Sequence, residues 1–152
     1  MVKQALIRCY RGSLKVLDQM GVNSKEVHRR LKAENRRIDA YVARSMDLAR
    51  TYVRDHGTGK IEVSTKALGM SECPTIMAHE LLHDVGRLPD HYWEAGAKCW
   101  WQQPCRWWRP EPQGECCIMS GPKGGFFGIG ATTCKSLDRQ CKEDLRKRGL
   151  LK

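Results

Sequence analysis

The stretch His79-Glu80-Leu81-Leu82-His83 decides how the rest of this sequence is interpreted. It follows Pro74, which suits the first turn of a helix, and precedes Gly86, which suits a helix end. On a helix, residues i and i+4 lie on one face about 5–6 Å apart, so the two imidazoles can reach one Zn²⁺ ion. Glu80 lies on the same helix, where its carboxylate can act as general base toward a metal-activated water. The pattern therefore predicts a hydrolytic zinc site.

Length and composition limit the fold that can surround this site. The chain has 152 residues, of which 41% are hydrophobic and 29% charged, and this composition is typical of one globular domain. No apolar run approaches the ~20 residues that span a bilayer, so we expect no membrane span. No apolar stretch typical of a secretory signal is visible, which slightly favours an intracellular protein over a secreted mature form. We expect a monomer.

Apolar spacing predicts helices before the quoted stretch. Residues 3–20 place apolar side chains at intervals of one, three and four, and Gly21 ends this helix. Asn23 and Glu26 form a capping-box pattern that starts a second helix, which the spacing extends to Gly57. The sequence therefore predicts a long, basic, helical beginning.

The remainder of the chain is more varied. Residues 60–65 alternate as a short strand should, and residues 136–148 have the spacing of a final helix. Residues 87–133 hold five prolines and all five tryptophans, which indicates an irregular segment that needs disulfides or metal to hold it. We expect residues 1–57 to form a basic helical part and residues 58–152 to form the metallopeptidase core, together one compact domain.

Two segments resemble the metzincin metallopeptidases. Residues 79–86 are similar to the family pattern HExxHxxG, and Cys117-Ile118-Met119 is similar to the segment that holds the family's methionine turn. Leu88 to Tyr92 is similar to the corresponding segment of the snapalysin group, and Cys117-Ile118-Met119 is similar to that of the reprolysin and archaemetzincin groups. The resemblance implies a zincin-like α+β fold that cleaves peptide or protein substrates. It also implies that Gly86 shapes the turn after the active-site helix and that Met119 supports the metal from below.

The third zinc ligand departs from the family pattern. The family places it six residues after the second histidine, where this chain has Pro89, which cannot bind metal. Asp90 and His91 follow directly. A snapalysin-like alignment favours Asp90, whereas neutral imidazole suits zinc equally well. We expect His91 with Asp90 as the alternative, and Glu94 or a cysteine behind them.

The sheet that metzincins carry before the active-site helix departs as well. Only residues 60–65 have a clear strand pattern, so we expect a reduced sheet. The edge strand that pairs with an extended substrate must then be this segment, or be absent.

The eight cysteines are unevenly distributed. Cys9 is interpreted as a core residue of the first helix. Six others lie within 43 residues, which is dense enough to indicate disulfides or a second, structural zinc, and their spacing does not choose between these. These six are Cys99, Cys105, Cys116, Cys117, Cys134 and Cys141.

The distribution of charge supports an alternative hypothesis for the function. The formal net charge is +10, and residues 1–60 and 134–152 are basic whereas the middle is slightly acidic. A basic flank is usually a solvated helix surface, but it also attracts acidic proteins or nucleic acid. The second hypothesis is a non-catalytic binding module that is stabilised by zinc and cysteines and whose basic helices bind such a partner. The displaced third ligand favours it, whereas Glu80 does not, because a structural zinc site needs no base.

Overall fold

The computed structural model describes residues 1–42, 49–51, 60–88, 90–92, 108–110, 117–121 and 135–152; for residues 49–51, 90–92, 108–110 and 120–121 it describes the backbone alone. The arrangement is mixed α+β. In chain order the helices and strands are α1 (Val2–Gln19), α2 (Ser24–Ala33), β1 (Arg37–Tyr41), β2 (Ala49–Thr51), β3 (Lys60–Ser64), α3 (Thr65–Leu68), α4 (Cys73–Asp84), β4 (Asp90–Tyr92), β5 (Trp108–Pro110), β6 (Ser120–Gly121) and α5 (Arg139–Lys147).

The first two helices begin and end where local signals place them. Gly21 follows α1 with φ +83°, a conformation that glycine adopts without steric cost. The Asn23 side chain accepts a hydrogen bond from the Glu26 backbone N–H at 3.1 Å and so caps the start of α2. The predicted first helix and the predicted start of the second are confirmed.

The predicted length of the second helix is wrong. It ends at Ala33, and Asn35 adopts φ +51°, which takes the chain out of the helical conformation. Residues 37–41 and 49–51 are then β1 and β2. Strands gain their backbone hydrogen bonds from distant partners, which a four-residue apolar spacing does not reveal. The described part of residues 34–57 is therefore not the helical extension that the sequence suggested.

The sheet formed by β1, β2 and β3 also corrects the expected edge strand. Its order is β1-β3-β2, with β1 parallel and β2 antiparallel to β3. Ile61 and Val63 of β3 are fully buried. The segment predicted to be the edge is therefore the centre of this sheet, and the described sheet contains more than the one strand expected.

Helix α4 is held at its N-terminal end by α1. Cys9 and Cys73 form a disulfide between the two helices. One turn further along α1, a Cβ on Gly12 would lie 2.8 Å from the Pro74 Cγ atom, so glycine permits the close approach. Cys9 is buried as expected, but its disulfide partner was not foreseen.

The other end of α4 is held by a buried ion pair and by α5. Arg36 donates from Nε to Asp84 Oδ2 at 2.9 Å, and both side chains are almost fully buried. A Cβ on Gly86 would lie 2.6 Å from the Leu82 carbonyl oxygen and 3.0 Å from a Leu145 methyl carbon. The glycine therefore lets the turn after α4 pack closely against α5.

The end of the chain returns to the turn between α1 and α2. Val22 and Leu151 form an antiparallel bridge. The Asn23 N–H donates to the Leu150 carbonyl at 2.7 Å, and the Lys152 N–H donates to the Gly21 carbonyl at 2.9 Å. Among the described helices, none is both long enough and apolar enough to cross a membrane.

Candidate metal centre

The two histidines of α4 face each other through their Nε2 atoms. The Nε2 atoms of His79 and His83 lie 3.0 Å apart, and the two rings are nearly perpendicular, with centroids 4.6 Å apart. Both side chains are partly exposed, whereas most of α4 is buried. The helical spacing therefore produces the convergence that the sequence predicted.

Backbone carbonyls orient both rings. His79 Nδ1 donates to the Ile118 carbonyl at 2.8 Å, and His83 Nδ1 donates to the Leu88 carbonyl at 2.6 Å. A carbonyl oxygen can only accept, so each neutral ring must carry its proton on Nδ1. Each Nε2 atom is then left with a lone pair. Metal-binding histidines ordinarily make the same kind of hydrogen bond: the ring nitrogen that does not bind the metal donates to a carbonyl or carboxylate oxygen.

The donor set fits a metal ion. Two Nε2 atoms 3.0 Å apart must share either a proton or a metal cation, because two bare lone pairs at this distance would repel each other. Two nitrogen ligands of tetrahedral zinc, each 2.0–2.1 Å from the metal, are about 3.3 Å apart, close to the observed separation. The residues present therefore suit a zinc ion coordinated by the two Nε2 atoms.

Glu80 lies beside His79 on α4 and is 7% exposed. Because Glu80 is one residue after His79, it lies on a different face of α4 from the two histidines. Its place next to His79 along the chain is the position at which the HExxH pattern carries its general base.

The segment that resembles the methionine turn lies against His79. Ile118 supplies the carbonyl that holds the imidazole, and its N–H donates to the Ser136 carbonyl at 2.8 Å. Met119 follows directly and is fully buried. Neither Ile118 nor Leu88 could be identified as a histidine partner from the sequence, because a backbone carbonyl leaves no trace in residue type.

The candidate third ligands lie on β4. This strand pairs in parallel with β6, so that His91 is the register partner of Ser120. The backbone that carries Asp90 and His91 therefore runs beside the residues that follow Met119. The side chains of Asp90 and His91, and all of Glu94, lie outside the described part of the structure, so the choice among them stays a prediction.

A second group of possible metal ligands includes the residue that precedes Ile118. It is the one such group found among the described residues and consists of Cys117, Asp138 and Cys141. All three side chains are buried, and their ligand atoms lie within 4.8 Å of one another. The two sulfur atoms are 3.8 Å apart. This group could bind a metal ion.

Helix α5 positions two of these three ligands. Asp138 is its N-cap, and its Oδ1 atom accepts a hydrogen bond from the Cys141 N–H at 2.7 Å. Leu137, Cys141 and Leu145 are all buried in the core, although the helix begins at Arg139 and not at residue 136 as the spacing predicted. The sequence analysis singled out both cysteines but missed Asp138, because a lone aspartate before a helix is ordinarily an N-cap and carries no signal of metal binding. The other four cysteines, Cys99, Cys105, Cys116 and Cys134, lie outside the described residues.

Comparisons of this chain with protein-family models, with curated proteins and with solved structures each found no match.

Proposed function

We propose that the chain is a zinc-dependent endopeptidase. The observation that carries the proposal is the pair of Nε2 atoms on α4, 3.0 Å apart, with both Nδ1 atoms committed to backbone carbonyls. A bound zinc ion would polarise the scissile carbonyl and lower the pKa of a water to roughly 7. His79 and His83 would hold this ion, with His91 or Asp90 as the third ligand.

Glu80 supplies the proton transfer that peptide hydrolysis requires. Its carboxylate takes a proton from the attacking water and passes it to the leaving amine. The near-complete burial of Glu80 limits competition from bulk water at the carboxylate. A site that served only to stabilise the fold would have no use for this base.

The sheet offers a place for the substrate backbone. Within the described sheet, β2 pairs with β3 alone and packs against α4. Its outer edge can therefore add an extended peptide as a further strand, beside the helix that carries the histidines. We therefore assign the pairing with substrate to β2 and not to residues 60–65, which lie at the centre of the sheet.

We further propose that Cys117, Asp138 and Cys141 hold a second, structural zinc ion. Complete burial of all three side chains suits a closed site that stabilises the fold and leaves no position for substrate.

The decisive experiment separates metal binding from catalysis. Glu80→Gln keeps the size of the side chain and both histidines but removes the base. We expect it to retain the zinc of the wild type while hydrolysis of a fluorogenic peptide library falls by about 10²–10⁴-fold. Glu26→Gln, the same change on the exposed face of α2, is the matched control and should leave both unchanged.

Two results would contradict this proposal. Equal hydrolysis by wild type and Glu80→Gln would remove Glu80 as the base. A zinc-loaded wild type that cleaves no member of the library would favour the non-catalytic binding module.

A further inference from the structure

The two basic ends of the sequence meet in the folded chain. The C-terminal tail pairs with the turn between α1 and α2 through the bridge of Val22 and Leu151. Arg30 of α2 then donates from Nη2 to the Arg148 carbonyl at 2.6 Å. The basic end of α5 therefore lies beside the basic helix α2.

An open groove lies at this junction. It has a volume of about 430 Å³ and is lined by Arg87, Asp144, Lys147 and Arg148. Three cationic side chains thus face one carboxylate. The pKa of Arg148 is lowered, first by burial and then by the neighbouring charge of Arg87, with Arg30 adding to the effect and Asp144 opposing it. The groove is therefore a place where positive charge is crowded and an anion would be stabilised.

The backbone at Arg87 is unusual for its residue type. Arg87 follows Gly86 directly and adopts φ +56°, a region that glycine occupies at much lower cost. Non-glycine residues in this region of φ are found most often at functional sites. The proposed peptide hydrolysis assigns no role to Arg87, Lys147 or Arg148.

We propose that this groove binds a phosphate group of a nucleic-acid backbone. Two of its three cations are arginines, whose planar guanidinium groups match phosphate oxygens in pairs. The chain as a whole carries a formal net charge of +10, which suits a long polyanion better than a single small ion. The proposal is independent of the endopeptidase function.

The test measures binding of the full chain to a fluorescein-labelled 20-nucleotide DNA duplex at several KCl concentrations. Arg87→Gly and Arg148→Gln each remove one groove cation, and we expect each to weaken binding by about fivefold or more. The slope of log K against log[KCl] should become shallower by about 0.9 for each phosphate that the variant no longer neutralises.

Two controls separate the groove from general charge and from unfolding. Arg139→Gln also removes one positive charge but lies at the other end of α5, about 12 Å from Lys147 along the helix. It should change affinity by less than twofold. Arg87→Gly should keep or raise Tm, because glycine suits the backbone there, so weaker binding by this variant cannot come from unfolding.

Competition experiments identify the anion. Stronger displacement of the duplex by unlabelled DNA than by poly-glutamate of equal charge supports the proposal. Equal displacement by the two would point to an acidic protein partner and overturn it. Tight binding of inorganic phosphate with no DNA binding at 150 mM KCl would also overturn it, as would an equal decrease of affinity in all three variants.

Discussion

Two groups of possible metal ligands lie next to Ile118, and they differ in the properties that separate catalytic from structural sites. His79 and His83 are partly exposed, come from one helix and are oriented by carbonyls of two other segments. Cys117, Asp138 and Cys141 are fully buried and join the residues before Met119 to α5. An open position suits substrate, whereas a closed one suits stability. We expect changes in the first group to remove activity and changes in the second to remove stability.

The largest effect is expected at the histidines. His83→Ala should lower peptide hydrolysis by at least about 10³-fold, because the zinc ion would have one ligand fewer. The free energy of unfolding should change by less than about 2 kcal/mol, since the side chain is partly exposed. Elemental mass spectrometry, peptide cleavage and urea unfolding measure zinc content, activity and stability. His28→Ala on α2 is the control, and reduced stability with unchanged zinc content and activity would break the comparison.

The cysteine group should behave in the opposite way. Cys141→Ala is expected to lower the free energy of unfolding by about 2–4 kcal/mol, because a structural metal held by this proposed site would contribute directly to folding. Peptide cleavage per folded molecule should persist. Leu137→Ala is the control, since it removes a buried side chain next to the same helix but no ligand.

The zinc dependence of stability decides whether a metal causes that decrease. Added zinc should stabilise a chelator-treated Leu137→Ala variant by RT ln(1 + [Zn]/Kd) and should stabilise Cys141→Ala much less. The same response in both variants would mean that Cys141 serves only as packing.

Gly86 lies in the turn after α4, where it packs against Leu145 of α5. Gly86→Ala should cost about 1–3 kcal/mol, because its Cβ would lie 2.6 Å from the Leu82 carbonyl oxygen. It should also lower activity by displacing Leu88, which orients His83. Gly69→Ala is the matched control, since the nearest atom to its Cβ is at 3.6 Å. Equal stability of the two variants in thermal unfolding would contradict this prediction.

The smallest effect is expected for the ion pairs that Glu26 forms with Arg29 and Arg30 on α2. Hydrogen bonds from Arg29 and Arg30 lower the pKa of Glu26 from 4.5 to about 2. This contribution is fully present above pH 4.5 and is lost as the pH falls through about 2. In urea unfolding, Glu26→Gln should be slightly less stable than wild type at pH 6, and the difference should shrink by pH 2. A difference that is unchanged across this range would contradict the assignment.

The fold was predictable where its signals are local. Helix α4 follows from Pro74 and Gly86, and the end of α1 and the start of α2 follow from Gly21 and Asn23. The same local reasoning failed after Ala33, where β1 and β2 obtain their partners from β3. Strand pairing depends on residues that are distant along the chain, so apolar spacing alone extended a helix through both strands.

The candidate site divides in the same way. The sequence by itself determined that His79, Glu80 and His83 share a helix. It also determined that His79 and His83 share a face of this helix, because residues four apart lie on the same face. Only the tertiary structure decided which carbonyls orient the imidazoles, that Asp138 joins Cys117 and Cys141, and that Cys9 bonds Cys73. It also brought Arg30 to Arg148 across 118 positions of the chain. Helical periodicity is a property of neighbouring residues, whereas these contacts exist only once the core has packed and brought distant segments together.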